Sequence, residues 1–244
     1  MNYRLTIQYD GTRYAGWQRQ SGNADTIQGK IEGVLSRMTD IPVEIQGAGR
    51  TDAGVHALGQ IANVRLETEK SPEDIRAYLN AYLPEDIGIV SVVPASDRFH
   101  SRLNAIGKTY CYRLATDPAR HIFERKYMTA WQEPLDLSAM KKAADFLTGT
   151  HDFQSFCAKK SKKSTVRRLD EIRFEEFPGE LRLTFQGNGF LYHMVRILSG
   201  TLLEVGSGQR SPQEIPAILK ARERKYVGFT APPQGLTLTE IFYS

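Results

Sequence analysis

Apolar positions in the first part of the chain follow two different periods, and each change of period predicts a new element. Residues 3–10 alternate apolar and polar side chains, as a half-buried strand does. Residues 26–38 carry apolar side chains at helical spacing behind Thr26, which suits an N-cap. Ser71, followed by Pro72 and two acids, predicts the start of a second helix. With strands predicted at 43–48, 58–66 and 87–93, the order is β-α-β-β-α-β, that of a ferredoxin-like unit.

The second part of the chain repeats this order without an obvious residue-level repeat. Strands are predicted at 108–115, 165–177, 180–186 and 236–242, and helices at 137–147, 193–205 and 212–221. We therefore predict an α+β fold of two fused ferredoxin-like, RRM-like halves, 1–97 and 98–244, with a mainly antiparallel sheet and a central basic cleft. Sheets of this kind often bind single-stranded RNA, although a fold alone does not give a function.

Composition agrees with a globular protein, since 41% of the 244 residues are hydrophobic and 25% are charged. The N-terminal residues contain no apolar run of the length that a signal peptide or a membrane span needs. We expect a cytoplasmic location and no membrane partner. Cys111 and Cys157 lie far apart, without a C-x-x-C motif or a histidine cluster, which argues against structural zinc.

The net charge of +4 is unevenly distributed along the chain. Residues 1–100 hold 10 Lys+Arg against 13 Asp+Glu, whereas residues 101–244 hold 22 against 15. The densest basic stretch is residues 159–168, and a second stretch covers residues 98–126. Cations that neutralise phosphates would explain this distribution, and a solvated surface loop is the ordinary alternative. The candidate phosphate contacts are Arg98, Lys108, Lys159, Lys160, Lys162 and Lys163.

The segment GAGRTDAGVHALGQ, residues 47–60, places one carboxylate, Asp52, among small residues. Glycine is used where the backbone turns unusually or where a ligand must approach closely. If the segment is extended, Arg50 and Asp52 point to the same side. This pattern predicts an accessible acid beside a fixed cation, and an ordinary turn aspartate is the alternative.

Two further segments combine aromatic and basic side chains. Arg13 and Trp17 belong to YDGTRYAGWQRQ, residues 9–20, whose composition suits stacking and phosphate contacts, unless Trp17 fills the core. In residues 97–113, Tyr110 and Tyr112 share a predicted strand face with Lys108. A tyrosine at a strand end can lie flat against a base. We expect that one of the two tyrosines only packs in the core. His100, a lone histidine, is better explained as a structural residue than as a general base.

Arg196 lies among apolar residues in the predicted helix 193–205. A buried cation without a partner is costly, so it should reach an acid, and Asp52 is the candidate. Such a pair would keep Asp52 ionised. Motifs for serine hydrolases, P-loops and zinc proteases are absent, and the five histidines have no metal-ligand spacing.

These segments together resemble the TruA family of tRNA pseudouridine synthases. The matching segments span nearly the whole chain: YDGTRYAGWQRQ, GAGRTDAGVHALGQ, DRFHSRLNAIGKTYCYR, GTHDFQSFCA, TVRRL, GNGFLYHMVRILSGTLLEVG and APPQGLTLTEIFY. The resemblance implies an enzyme that isomerises uridine to pseudouridine in the anticodon stem-loop of tRNA, at tRNA positions 38, 39 and 40. It also implies a homodimer in which the two subunits share one tRNA, and a reaction without metal or cofactor.

The resemblance implies a role for four residues. Asp52 is the nucleophile, Arg50 is its basic neighbour, Tyr110 stacks on the flipped base, and Arg196 orients Asp52. Two other functions stay open from the residues alone. One is a non-catalytic RNA-binding module in which Asp52 is structural. The other is a hydrolase of a phosphorylated small molecule, which the lack of a metal partner for Asp52 disfavours.

Overall fold

The computed structural model describes residues 1–20, 25–160 and 163–244. Over these residues the fold is mixed α/β, with ten strands and five α-helices. The chain divides into two compact units: the first is Met1–Ile106 together with Thr237–Ser244, and the second is Gly107–Leu236. The predicted halves 1–97 and 98–244 differ from this division in two ways: the first unit extends to Ile106, and the last strand returns to it.

The first unit contains β1 (Asn2–Tyr9), α1 (Ile27–Thr39), β2 (Ile45–Gly47), β3 (His56–Arg65), α2 (Pro72–Tyr82) and β4 (Ile87–Ala95). β1 pairs antiparallel with both β3 and β4, and β2 pairs antiparallel with β3, so that the strand order is β4-β1-β3-β2. The alternation in β1 buries Leu5 and Ile7 completely. The predicted order β-α-β-β-α-β is therefore observed in this unit.

Both predicted helix starts in the first unit are confirmed. The Thr26 side chain accepts a hydrogen bond from the Gly29 backbone N–H at 3.2 Å. Ser71 and Asp74 form a reciprocal capping box, and Pro72 begins the helix. These caps satisfy backbone donors that the first turn of a helix leaves without partners.

The second unit contains most of β5 (Ala105–Ala115), then β6 (Thr129–Ala130), α3 (Leu137–Leu147), β7 (Gly149–Asp152), β8 (Val166–Phe177), β9 (Glu180–Gly187), α4 (Met194–Gly206) and α5 (Ile215–Ala221). Its strand order is β5-β9-β8-β7 with antiparallel neighbours, and β6 lies parallel to β5. The hairpin of β8 and β9 turns at Gly179, whose φ is +76°. β6 and β7 were not predicted, because two and four residues are too few to display a period.

The last strand, β10 (Leu236–Tyr243), enters the first unit from Thr237 onward. Thr237 and Leu238 pair parallel with His56 and Ala57 at the start of β3. Gly59 of β3 permits this approach, since a Cβ there would lie 2.4 Å from the Thr239 carbonyl oxygen. β10 thus lies beside the strand that follows the Asp52 loop. Among the described residues, no helix is both long and apolar enough to cross a membrane.

Candidate active site

Asp52 lies in the loop between β2 and β3, in the first unit. Thr51 is only 6% exposed, whereas Arg50 is exposed and Asp52 is half-buried. This alternation places the side chains of Arg50 and Asp52 on the outer side of the segment. The loop turns directly afterwards, where Gly54 has a φ of +78° and the Val55 N–H donates to the Asp52 carbonyl at 3.2 Å.

The segment that ends at Trp17 packs directly against the Asp52 loop. Trp17 donates its backbone N–H to the Thr51 carbonyl at 3.1 Å. A Cβ on Gly47 would lie 2.4 Å from Trp17 Nε1, and a Cβ on Gly16 would lie 2.7 Å from the Thr51 carbonyl oxygen. Gly16 also has a φ of +99°, which side chains rarely adopt. Both glycines are therefore required by the close approach of the two segments.

Trp17 itself is 1% exposed. The prediction that Trp17 contacts the substrate is wrong, because its ring is enclosed by protein and offers no open face for a base. Trp17 instead fills the core, which was the alternative interpretation of the sequence, and its ring packs against the segment that leads to Asp52.

Arg13 and Arg50 are both exposed, and both have a protein partner. Arg13 donates through Nε and Nη2 to Asp86 Oδ2 at 3.0 and 2.6 Å. The hydrogen bond to Asp86 raises the pKa of Arg13. Arg50 donates through Nε to Gln18 Oε1 at 2.9 Å, which orients its guanidinium. A phosphate at Arg13 would have to compete with the Asp86 carboxylate, whereas the partner of Arg50 is the neutral side-chain amide of Gln18.

The two tyrosines of β5 lie in the second unit, and both are buried. Tyr112 is fully buried, and its hydroxyl contacts Thr129 Oγ1 at 2.7 Å and donates to the Pro232 carbonyl at 2.9 Å. Burial raises the pKa of Tyr112, despite the opposing hydrogen bond to Thr129. Tyr112 is thus the expected core tyrosine. Tyr110 is 7% exposed and meets the Phe190 ring edge-on, with ring centres 5.1 Å apart, while Lys108 is half-buried.

Arg196 lies in the first turn of α4, in the second unit, and is half-buried. Its Nε donates to the Ala231 carbonyl at 2.7 Å, which ties the helix to the segment before β10. Asp52 belongs to the first unit, and the pairing of Arg196 with Asp52 stays a prediction.

The predicted phosphate contacts are mostly at the surface. Arg98, Lys159, Lys160 and Lys163 are exposed, and Lys162 lies outside the described residues. His100 accepts the Arg102 backbone N–H at Nδ1, at 3.2 Å, which agrees with a structural histidine.

An aromatic pair that the sequence analysis did not single out lies beside this basic stretch. The rings of Tyr192 and His193 stack with centres 3.8 Å apart, and Lys159 Nζ lies 4.9 Å from the centre of the Tyr192 ring. Tyr192 is 45% exposed. The signal in the sequence was the aromatic cluster of GFLYH ahead of α4, which also contains Phe190, the neighbour of Tyr110.

Within the described part of the chain, no three histidine, cysteine or acidic side chains are grouped as metal ligands would be. Asp52 is a half-buried carboxylate on a loop whose backbone is held by hydrogen bonds and which also carries the exposed Arg50.

A family model described as tRNA pseudouridine synthase matches residues 5–103 and 143–244. The chain belongs to this family. The matched residues include Arg50, Asp52 and Arg196, while Tyr110 and Lys108 lie in the stretch between the two matched ranges. The chain is accordingly an isomerase that converts uridine to pseudouridine in tRNA.

Individual relatives cover this intervening stretch as well. A protein of Bacillus sp. (strain KSM-64) named tRNA pseudouridine synthase A is 46% identical over 243 residues, with 99% of each chain covered. A Bacillus anthracis protein named tRNA pseudouridine synthase A 2 is 45% identical over 241 residues, with 98% of each chain covered. A Clostridium tetani protein named tRNA pseudouridine synthase A 1 is 44% identical over 243 residues, with 99% of each covered.

Proposed function

We propose that this synthase modifies the anticodon stem-loop of tRNA, at tRNA positions 38, 39 and 40, with Asp52 as its covalent nucleophile and without a cofactor. One observation carries the proposal: Asp52 stands with Arg50 on the outer side of a loop whose backbone is held from beneath. A carboxylate that is positioned and kept ionised can act as a covalent nucleophile. Arg50, whose guanidinium donates to Gln18, lies two residues before Asp52 on the same exposed side of the loop.

The reaction breaks the N-glycosidic bond, turns the uracil and joins it to the ribose again through carbon 5. Carbon 5 loses a proton and N1 takes one up, so that the atoms balance. A uridine inside a stem must first leave the stack, which costs a few kcal/mol. Stacking on Tyr110 would return about 1–3 kcal/mol of that cost. Because Tyr110 is only 7% exposed and packs edge-on against Phe190, a base would have to displace neighbouring side chains to reach the ring face.

We also propose the finer features of the architecture and the setting. The strand order β4-β1-β3-β2 and the element order of the first unit support a ferredoxin-like half. The antiparallel order β5-β9-β8 supports a second one. We propose in addition that the protein forms a homodimer whose two subunits share one tRNA. We also propose that it is located in the cytoplasm.

The deciding experiment maps pseudouridine in tRNA from cells with and without this protein, and in unmodified tRNA incubated with the pure protein. We expect new pseudouridine confined to positions 38, 39 and 40. Modification elsewhere would overturn the proposed site, and tRNA binding without any modification would favour the non-catalytic RNA-binding module.

For Tyr110, we expect Tyr110→Phe to keep most of the turnover and Tyr110→Leu to lose far more, because only the aromatic face is needed for stacking. Turnover on saturating tRNA measures the difference. Because the side chain is buried, thermal melts show whether either substitution destabilises the fold. A phenylalanine variant as inactive as the leucine variant would show that the hydroxyl takes part in the reaction.

For the basic stretch, we expect replacement of Lys159, Lys160 and Lys163 by glutamine to weaken tRNA binding and flatten its salt dependence, with the same uridines modified. Phosphate contacts position a substrate but carry little sequence information. Each lost contact should lower the slope of log affinity against log salt by about 0.7–0.9. Lys70→Gln, Lys141→Gln and Lys220→Gln form a control of equal charge change, and equal slopes in the two triple variants would show that the stretch is an ordinary solvated surface.

For Arg196, a double-mutant cycle with Asp52 tests the proposed pairing. Loss of one partner of a buried pair typically costs about 3–5 kcal/mol, against about 0–1 kcal/mol for an exposed pair. We expect Arg196→Met to lower the unfolding free energy and nearly abolish turnover, and Asp52→Leu to offset part of the stability loss. Strictly additive effects in denaturant melts would show that the two side chains do not interact.

A further inference from the structure

Three buried polar side chains lie beneath the segment that carries Arg50 and Asp52. Tyr9 is 5% exposed, Thr51 is 6% exposed and Gln60 is fully buried. Tyr9 Oη lies 2.8 Å from Thr51 Oγ1. Gln60 donates through Nε2 to the Gly49 carbonyl at 2.9 Å, and its side chain also hydrogen-bonds Tyr9.

These contacts hold the two residues on either side of Arg50. Gly49 is held by its carbonyl and Thr51 by its hydroxyl. The exposure of the side chains agrees with anchoring on the inner side, since Thr51 is buried while Arg50 is exposed and Asp52 is half-buried. Hydrogen bonds, in addition to packing, therefore fix the backbone on which the Arg50 and Asp52 side chains are mounted.

The anchors come from two strands that are themselves rigidly joined. Tyr9 ends β1 and Gln60 lies in β3, and the two strands pair antiparallel with Ile7 opposite Gln60 and Tyr9 opposite Ala57. Burial raises the pKa of Tyr9, so its hydroxyl stays protonated and serves as a hydrogen-bonding group. Apolar side chains of the same volume would fill this space, but they would not fix a direction, since apolar contacts lack the angular preference of hydrogen bonds.

We infer that Tyr9, Thr51 and Gln60 are positioning residues that aim Asp52 at the reacting nucleotide. The inference rests on the proposed role of Asp52 as nucleophile. Their effect should appear in the chemical step, because a displacement of about 1 Å in a reacting group can cost about 10²-fold in rate. Their effect on tRNA affinity should be small, since none of the three is exposed.

The experiment uses two crossed substitutions at Thr51 and a matched control in the same sheet. Thr51→Val keeps the shape but removes the hydroxyl, whereas Thr51→Ser keeps the hydroxyl and removes a methyl group. Thr6→Val makes the same chemical change in β1, where the Thr6 hydroxyl accepts from Ser91 Oγ at 3.0 Å. Single-turnover rates on saturating tRNA, tRNA affinity and melting temperature are measured for each variant.

We expect Thr51→Val to slow the chemical step about 10²-fold with unchanged affinity, and Thr6→Val to leave the rate as it was. Thr51→Ser should keep most of the wild-type rate, even if its melting temperature is lower than that of Thr51→Val. Should Thr51→Val fail to fold, Tyr9→Phe removes the other hydroxyl of the pair with little change of volume and is expected to slow the step similarly.

Equal rates for Thr51→Val and Thr6→Val would overturn the inference, as would rates that simply follow melting temperature. A Thr51→Val variant that loses affinity and keeps its single-turnover rate would overturn it as well. Failure of the underlying proposal looks different, because Asp52→Asn would then stay active whatever the Thr51 variants do.

Discussion

Asp52→Asn should abolish pseudouridine formation while the protein still folds and binds tRNA. Asparagine keeps the size of the side chain but removes the negative charge and the nucleophilic oxygen, so no covalent intermediate can form. Loss of a covalent nucleophile commonly costs far more than about 10³-fold in turnover. Pseudouridine released per enzyme on unmodified tRNA measures the loss, and gel-shift affinity shows whether the substrate still binds.

Asp40→Asn is the matched control for this prediction. Asp40 is exposed, lies at the end of α1 with a φ of 56°, and asparagine is well tolerated in this left-handed conformation. The control should retain wild-type turnover. Turnover of pure Asp52→Asn within about ten-fold of the wild type would exclude Asp52 as the nucleophile.

Trp17→Ala should give the largest loss of stability among single substitutions near the site. Removal of a fully buried large aromatic side chain costs about 3–5 kcal/mol, because both the buried surface and the packing around the cavity are lost. Since the Trp17 ring lies against Gly47, the Asp52 loop loses its support at the same time. Urea unfolding gives the stability loss, and turnover at a temperature where the variant is folded gives the effect on the site.

Trp131→Ala provides the comparison, because Trp131 is the other tryptophan of the chain and is only half-buried, where it stacks on Phe229. Its replacement should cost clearly less stability and leave turnover near that of the wild type. If the two alanine variants lost equal stability, Trp17 would not be the support that its burial indicates.

Local sequence was sufficient for most elements of this fold. α3 occupies residues 137–147, as its apolar spacing predicted, and the N-caps Thr26 and Ser71 both make their expected hydrogen bonds. Periodicity and capping act over a few residues, so they are readable from a short window. The motif around Asp52 was readable for the same reason, since Arg50, Asp52 and the surrounding glycines are close together in the chain.

Contacts between distant segments were not readable in this way. Arg13 was expected at a phosphate, but it pairs with Asp86 across 73 positions of the sequence. Tyr9 and Thr51, 42 positions apart, show nothing in the sequence that would join them. Such pairs depend on which strands become neighbours, and strand pairing is decided by the whole sheet.

The sequence by itself thus determined the family, the order of elements and the candidate nucleophile, because each of these is written in motifs or periods of neighbouring residues. Only the tertiary structure decided that β10 joins β3, that Trp17 is enclosed, and that Thr51 is anchored beneath Asp52. The physical reason is the same in all three cases. Burial and hydrogen-bond direction belong to the assembled sheet, in which residues far apart in the chain are brought within a few ångströms of one another.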